Sequence, residues 1–297
     1  MVKIENAHGE VIHHAALNYY GTRLATCSSD KTVKIFEVSE SGVTPLETLT
    51  GHAGPVWYAD WCHPSLGETL LATCGYDGRV MIWKEQNGRM VALDTLAVHS
   101  ASVNCVKWAP HEYGMYLLCG SAEGKISVLG LKDGQVISTK IIEAHRFGVN
   151  CISWAAPTNT TSTTKEDEEH VRRFVSGGND NLVKIWTYNK EKEEYELEDT
   201  LEGHTDAVTA VDWSPTTLLQ SYLASVSKDK TCLVWTRNND DKAGKWSKAV
   251  VNATGFEKPL GSVSWSLSGN LLAVSGDDRK VTIWKESSEG KWEQVEK

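Results

Sequence analysis

The sequence is short of basic charge. Its 297 residues hold 39 Asp and Glu against 30 Lys and Arg, which gives a formal net charge of −9. Binding nucleic acid over a broad surface requires clustered Lys and Arg, because these neutralise phosphates, whereas an excess of acid repels them. We therefore expect no direct nucleic-acid partner.

Long hydrophobic runs are also missing. No stretch approaches the roughly 18 consecutive apolar residues of a membrane-spanning helix. The first ten residues, MVKIENAHGE, contain no apolar segment of the kind found in secretory signals. We expect no transmembrane segment and a protein that stays in the cytosol or nucleus.

The cysteines form no C-x-x-C pair, and their number, seven, is odd. A zinc ribbon or a thioredoxin-like site would need such pairs. Most of these cysteines lie inside apolar runs, as small hydrophobic residues do in a reducing compartment. We expect no metal and no cofactor. The cysteines are Cys27, Cys62, Cys74, Cys105, Cys119, Cys151 and Cys232.

What the sequence does contain is an internal repeat. Four segments carry a His followed nine residues later by a Trp: GHAGPVWYADW, VHSASVNCVKW, AHRFGVNCISW and GHTDAVTAVDW. A second landmark is a polar turn followed by an apolar run, which ends at Phe36, Trp83, Leu129, Trp186, Trp235 and Trp284. Successive ends lie 47, 46, 57, 49 and 49 residues apart, so the chain holds six repeats.

Each repeat is predicted to form four short strands. In the second repeat these are VWYADW, TLLATCG, VMIW and MVALDTL, with a tight turn YDGR between the second and third. Four-strand units at this period resemble the WD-repeat β-propeller. The resemblance covers nearly the whole chain. It implies an all-β, six-bladed propeller in a single domain, residues 1–297.

One segment departs from the repeat. The polar stretch AAPTNTTSTTKEDEEHVRR lengthens the fourth repeat and is predicted to be a mobile loop at about 158–171. It is either a tolerated surface insertion or a regulated Thr/Ser-rich site.

The WD-repeat resemblance also implies a hydrogen-bonded set in each blade: a loop His, a Ser or Thr of the second strand, a turn Asp and the Trp that ends the third strand. Three repeats have all four residues. The sets are His52, Thr73, Asp77 and Trp83; His145, Ser176, Asp180 and Trp186; and His204, Ser225, Asp229 and Trp235.

The other three repeats are incomplete. The first has His8, Thr26 and Asp30 but ends in Phe36. In the third, Cys119, Glu123 and Leu129 replace three of the four residues. The sixth has Phe256 and Val274 in place of the His and the hydroxyl residue.

Recurring His, Ser and Asp residues could also indicate a catalytic triad. A nucleophile requires one exposed, activated site, however, and these sets recur at structural positions in several repeats. We therefore assign them as scaffolding and expect no catalytic residue.

Several segments are more individual than the general repeat: WAPHEYG, ATCSSDKTVKIFEV, WSPTTLLQSYLASVSKDKTC and WSLSGNLLAVSGDDRKVTIWKE. Together they resemble the small WD-repeat subunit of the COPII outer coat, the Sec-thirteen family. A Seh-one type coat nucleoporin is the nearest competitor, although the resemblance to it is weaker in the sixth repeat.

This resemblance implies a non-enzymatic scaffold that binds an α-solenoid partner. One implied partner is the large outer-coat subunit on vesicles that bud from the endoplasmic reticulum. Others are an α-solenoid nucleoporin of the Y-shaped nuclear-pore scaffold and subunits of a nutrient-sensing complex upstream of the TOR kinase. The implied locations are the cytoplasmic face of the endoplasmic reticulum, COPII vesicles and the nuclear pore. A WD-repeat adaptor that reads short peptides remains the alternative function.

The two terminal repeats lack the polar faces that cap an open stack. The third strand of the first repeat, VKIF, is as apolar as its interior counterparts, and so is VTIW of the sixth. The ring therefore either closes with six blades or receives an inserted blade from a partner, which the resemblance favours. The partner-binding residues predicted at the junction are Val2, Ile4, Val33, Ile35, Val281 and Ile283, and the pattern leaves open which face each side chain occupies.

Overall fold

The computed structural model describes residues 4–132, 135–157, 170–216, 220–239 and 244–295. Within these ranges, 24 β-strands form six four-stranded antiparallel sheets, and the helical elements are two single 3-10 turns, Pro64–Leu66 and His111–Tyr113. The predicted fold class, all-β with six WD-repeat propeller blades, is confirmed. The sheets are called blades one to six in chain order. Most of the predicted loop, 158–169, lies outside the described residues.

The chain divides into two compact units of three blades each, Met1–Glu143 and Ala144–Lys297. The organisation of 1–297 as a single domain stays a prediction.

In the first unit each blade is a meander of four consecutive strands. Blade one is β1 (Ile12–Leu17), β2 (Arg23–Ser28), β3 (Thr32–Ser39) and β4 (Gly42–Thr50). Blade two is β5 (Val56–Trp61), β6 (Leu70–Gly75), β7 (Val80–Gln86) and β8 (Arg89–Leu96). Blade three is β9 (Val103–Trp108), β10 (Tyr116–Ser121), β11 (Lys125–Lys132) and β12 (Gln135–Glu143).

The second unit repeats this plan. Blade four is β13 (Val149–Trp154), β14 (Arg173–Gly178), β15 (Val183–Asn189) and β16 (Glu194–Leu201). Blade five is β17 (Val208–Trp213), β18 (Gln220–Ser227), β19 (Cys232–Asn238) and β20 (Ser247–Val250). Blade six is β21 (Leu260–Trp265), β22 (Leu272–Gly276), β23 (Val281–Glu286) and β24 (Trp292–Gln294).

The third strand of blade two shows why these runs are apolar throughout. Val80 and Ile82 pack against blade three, whereas Met81 and Trp83 pack against blade one. Successive side chains of a strand point to opposite faces, so a sheet covered on both faces needs apolar residues at every position. The same alternation gives blade five one face toward blade four and one toward blade six.

The cysteines serve this packing. All seven are free and buried, as predicted from their apolar surroundings. Burial raises the pKa of Cys62 and of Cys119 to about 12. These thiols stay protonated at neutral pH and act as small hydrophobic side chains.

Two features are absent from the described ranges. No helix there is long and apolar enough to cross a membrane. No group of three or more His, Cys, Asp or Glu side chains in those ranges is arranged to hold a metal ion.

Candidate functional site

The structure brings together the four residues of the predicted set in blade two. Trp83 donates its indole N–H to the Thr73 hydroxyl oxygen at 2.9 Å. Thr73 Oγ1 lies 2.9 Å from His52 Nε2, and His52 Nδ1 lies 3.1 Å from Asp77 Oδ2. One consistent proton arrangement satisfies every atom: the hydroxyl donates to Nε2, and Nδ1–H donates to the carboxylate.

Blades four and five have the same connections. In blade five, His204 Nε2 and Trp235 Nε1 each lie 2.8 Å from Ser225 Oγ, and His204 Nδ1 lies 3.0 Å from Asp229 Oδ2. In blade four, His145 Nε2 lies 2.8 Å and Trp186 Nε1 lies 2.9 Å from Ser176 Oγ. His145 Nδ1 lies 2.8 Å from Asp180 Oδ1.

Burial keeps the imidazoles of His52 and His204 neutral. It lowers the pKa of His52 and of His204, and the nearby carboxylates, Asp77 and Asp229, only partly oppose the shift. A neutral imidazole donates from one nitrogen and accepts at the other, as the observed partners require.

The acid of each set also shapes its turn. Asp229 Oδ1 accepts the backbone N–H of Thr231 at 2.9 Å, while Oδ2 accepts that of Thr205 at 2.9 Å. Lys230, which lies between Asp229 and Thr231 in the turn, has a left-handed φ of 67°. Residues in this conformation cost backbone free energy. The carboxylate therefore stabilises the turn and the histidine loop at once.

This geometry does not present a nucleophile. The side chains of Thr73, Ser176 and Ser225 are fully buried, and each hydroxyl oxygen already accepts an indole N–H. A substrate could not reach these oxygens without unpacking the blade. The sets are packing networks that tie the loop before the first strand to the second and third strands.

In blade one the set lacks its indole donor. His8 Nε2 lies 2.8 Å from Thr26 Oγ1, and His8 Nδ1 lies 2.9 Å from Asp30 Oδ2. Phe36 fills the Trp position and is buried. Thr26 Oγ1 therefore receives no indole N–H, and it also lies 3.4 Å from the Lys34 carbonyl oxygen.

In blade three a residue that the sequence pattern missed completes the set. His99 Nδ1 lies 2.7 Å from Glu123 Oε1, and His99 Nε2 lies 3.0 Å from Ser127 Oγ. The hydroxyl therefore comes from the third strand, at the position that Met81 fills in blade two. It compensates for Cys119 on the second strand.

Blade six makes the same exchange. Trp284 donates its indole N–H to Thr282 Oγ1 at 2.9 Å, and Val274 occupies the usual hydroxyl position. Phe256 packs edge-on against Trp284, with 5.8 Å between ring centroids, in the place of the histidine. In both blades the sequence signal is a Ser or Thr two residues before the end of the apolar run: Ser127 before Leu129, and Thr282 before Trp284.

A second group of hydrogen bonds joins neighbouring blades through the Asp-Trp pairs. Asp212 Oδ2 accepts the backbone N–H of Trp265 at 2.8 Å, and the Asp212 carbonyl accepts its indole N–H at 3.1 Å. Asp60 binds Trp108 in the same way, at 2.8 and 3.1 Å. Each Asp therefore ties its own first strand to that of the next blade.

We expect Asp212→Asn to lower the free energy of unfolding by about 1 kcal/mol, because a hydrogen bond to a carboxylate is stronger than one to a neutral amide. The amide retains one oxygen acceptor for Trp265, which limits the loss. Chemical denaturation followed by tryptophan fluorescence measures the change. The exposed Asp277→Asn is the control, and an equal effect of both would contradict the role of Asp212.

The predicted partner-binding residues of the third strand of blade one are not available to a partner. Val33 and Ile35 are buried in the core that blades one and two share. A partner could not contact their side chains without displacing blade two. The positions that face away from blade two are Lys34 and Phe36, which line a cavity of about 430 Å³ together with Ile4. Val2 lies outside the described residues.

On blade six, Val281 and Ile283 lie on the face turned away from blade five, because Trp284, on the alternate face, packs against blade five. Val281 is 64% exposed. The same repeat position is 0 or 1% exposed in every other blade, at Val33, Val80, Ile126, Val183 and Cys232.

We call the face of blade six that carries Val281 and Ile283 the outward face of blade six. The outward face of blade one comprises Ile4, Ala15, Leu17, Lys34 and Phe36.

Comparison with known families supports the repeat assignment. The model described as "WD domain, G-beta repeat" matches residues 2–37, 43–84 and 90–128. The model described as "WD repeat-containing protein 75 second beta-propeller" matches residues 158–295.

Individual relatives match along the full length. "Protein transport protein SEC13-2" of Candida glabrata is 70% identical over 301 residues, which cover 99% of each chain. "Protein transport protein SEC13" of Saccharomyces cerevisiae is 61% identical over 99% of this chain and 98% of its own. "Protein transport protein sec13" of Emericella nidulans is 47% identical over 98% and 96%, respectively. The resemblance drawn from the sequence motifs is thereby confirmed: the chain belongs to the SEC13 family of WD-repeat proteins.

Proposed function

We propose that this chain is a non-enzymatic scaffold subunit of the COPII outer coat, which acts on the cytoplasmic face of the endoplasmic reticulum. In this proposal it binds a large α-solenoid subunit, and that partner donates strands that pack as a further blade against the outward faces of blades one and six. The names of the relatives, protein transport proteins, support the general role.

The exposure of Val281 carries the proposal. A valine that is buried against a neighbouring blade elsewhere in the repeat is here left in water. Covering apolar surface stabilises an assembly by about 25 cal/mol per Å². A blade-like partner would restore at this position the environment that Val80 has in blade two.

The outward face of blade one supports the same proposal. Leu17 is 57% exposed, and Ala15 beside it is exposed as well. Their strand neighbours His14 and Ala16 point to the other face, where Ala16 packs against the core that blades one and two share. A partner strand could therefore lie over Ala15 and Leu17 without disturbing blade two.

The buried sets fit a scaffold better than a catalyst. Their hydroxyls and imidazoles are used within the blades, and they rigidify the loops between strands. A rigid surface loses little conformational freedom on binding and so favours a long-lived complex.

The other partners are proposed for the same two faces. An α-solenoid nucleoporin of the Y-shaped nuclear-pore scaffold, and a subunit of the nutrient-sensing complex upstream of the TOR kinase, would each supply a comparable blade. Since all three would cover Val281, we expect them to exclude one another on a single copy of the chain.

Val281→Asp is the direct test of the proposed docking face. We expect it to weaken association with the large outer-coat subunit at least tenfold, because a buried unpaired carboxylate is costly. The affinity is measured by titrating the purified partner against labelled chain.

Ile137→Asp is the matched control. Ile137 is 67% exposed and lies on β12 of blade three rather than on blade one or blade six. Binding equal to that of the unmodified chain is expected for this variant. If Val281→Asp also bound as tightly as the unmodified chain, the proposed docking face would be wrong.

A further inference from the structure

A cavity of about 540 Å³ lies between blades five and six, and no residue of the buried sets lines it. Its size falls within the roughly 300–1,000 Å³ typical of ligand pockets. Three aromatic rings line it, those of Tyr222, Trp265 and Trp292.

The rings form inclined apolar surfaces. The centroids of Tyr222 and Trp265 are 6.2 Å apart, and those of Trp265 and Trp292 are 5.8 Å apart, with 64° between the planes in each pair. Trp265 is fixed in place because its indole N–H donates to the Asp212 carbonyl. The cavity therefore offers a preformed aromatic lining.

The polar groups of the lining present donors. Asn270 Oδ1 accepts the hydroxyls of Ser266 and Ser268, so its amide nitrogen is left to donate. Gln220 Oε1 accepts a hydrogen bond from the Tyr222 phenol at 2.7 Å, so the amide nitrogen of Gln220 is likewise left to donate. Among the described residues, neither nitrogen has a hydrogen-bond acceptor, and the same is true of Trp292 Nε1.

Charge at the cavity is balanced. Lys285 and Glu286 both line it, and their charges are opposite. Glu286 also interacts with the Tyr222 hydroxyl, and burial is the main reason that the pKa of Tyr222 is raised. The phenol therefore stays protonated. Neither an anionic nor a cationic ligand is favoured by the net charge.

A ligand that fits this lining is uncharged, apolar and rich in hydrogen-bond acceptors. A polyproline II segment has these properties, because its carbonyls have no internal partners and its rings are rigid. Aromatic grooves with a few donors are the usual receptors for such segments. We infer that the cavity between blades five and six binds a proline-rich peptide segment in the polyproline II conformation.

The turn beside the cavity carries an exposed apolar side chain. Leu267, next to Ser268, is 99% exposed. A peptide leaving the cavity along this turn would cover its side chain.

The equivalent cavity between blades one and two differs in chemistry. It is smaller, about 230 Å³, and an ion pair of 2.7 Å between Arg23 and Glu85 occupies the positions of Tyr222 and Glu286. Tyr20 lines that cavity. It therefore offers a matched control site in the same chain.

The test is isothermal titration calorimetry of a proline decamer with the full-length chain. A glycine-serine decamer is the control peptide. We expect saturable binding of the proline decamer alone. Asn270→Asp keeps the side-chain size but replaces the donor with an acceptor, and it should weaken binding about fivefold. Trp292→Ala should weaken it at least tenfold, whereas Tyr20→Ala should bind as the unmodified chain does.

Four results would overturn the inference. These are equal binding of the two decamers, no binding of the proline decamer, unchanged binding by Asn270→Asp, and tighter binding of a phosphoserine or trimethyllysine peptide than of proline. Circular dichroism of each variant establishes that it is folded, and Asn270→Asp keeps the test valid if Trp292→Ala unfolds. Because Val281 lies on the other face of blade six, these outcomes are independent of those for the coat partner.

Discussion

Replacing His204 with alanine is expected to lower the free energy of unfolding by about 1–3 kcal/mol. The substitution leaves the fully buried hydroxyl of Ser225 without its acceptor, and it removes the Nδ1–H donor of the Asp229 carboxylate. Asp229 keeps the backbone N–H groups of Thr205 and Thr231, which limits the loss. Urea denaturation followed by circular dichroism measures the change at neutral pH.

His111→Ala is the control for this experiment. His111 lies on a 3-10 turn at the surface, and its side chain is 41% exposed. Such surface substitutions usually change stability by less than about 0.5 kcal/mol. An unchanged midpoint for His204→Ala, or equal losses for both variants, would show that the buried set contributes no stability.

The stability of the chain is expected to fall by about 2 kcal/mol between pH 8 and pH 5 through His14 alone. His14, on β1, stacks on Tyr58 with 3.6 Å between ring centroids, and its Nδ1 is buried with no hydrogen-bond partner among the described residues. Burial, reinforced by the positive charge of Lys107, lowers the pKa of His14 to about 3.

Stability falls in acid because the unfolded chain takes up more protons than the folded chain. In the unfolded chain His14 binds a proton below its ordinary pKa of about 6.5, whereas in the folded chain it does so only near pH 3. Between these values the unfolded state holds more protons, so acid favours unfolding. His52 and His204, whose pKa values are also lowered, add to the same trend.

His14→Phe isolates this contribution. Phenylalanine keeps a ring against Tyr58 but cannot titrate. We expect the variant to lose about 2 kcal/mol less than the unmodified chain between pH 8 and pH 5. Denaturation curves at both pH values measure the difference, and parallel losses in the two proteins would contradict the assignment.

Much of the fold was predictable because the repeat carries its own markers. The strand-ending Trp83 and the His52 loop recur at a nearly fixed spacing, and a four-stranded unit follows from the alternation between them. Packing on both sides then explains why VMIW is apolar at every position.

The hydroxyl exchange was not predictable from the repeat pattern. The pattern places the hydroxyl on the second strand, where Cys119 and Val274 stand in blades three and six. Ser127 and Thr282 replace it from the third strand, since adjacent strands bring both positions within reach of the same His or Trp. Sequence spacing alone does not report such a change of strand.

The sequence also could not predict which face of each terminal blade is exposed. Alternation divides Val33 and Lys34 between two faces, but it does not say which face meets the next blade. The structure shows that Lys34 and Phe36 of the third strand of blade one face away from blade two, whereas Val281 and Ile283 of the third strand of blade six face away from blade five. The outward face of blade one therefore carries Lys34 and Phe36 rather than Val33 and Ile35.

The most direct test of the scaffold proposal is thiol labelling at the outward face of blade six. All seven native cysteines are buried, so a cysteine introduced by Val281→Cys should react with a maleimide far faster than they do. Ile137→Cys provides an exposed control. We predict that Val281→Cys is labelled in the isolated chain and protected in the complex with the large outer-coat subunit, while Ile137→Cys is labelled in both. Equal labelling of Val281→Cys with and without the partner would contradict the proposed docking of a donated blade.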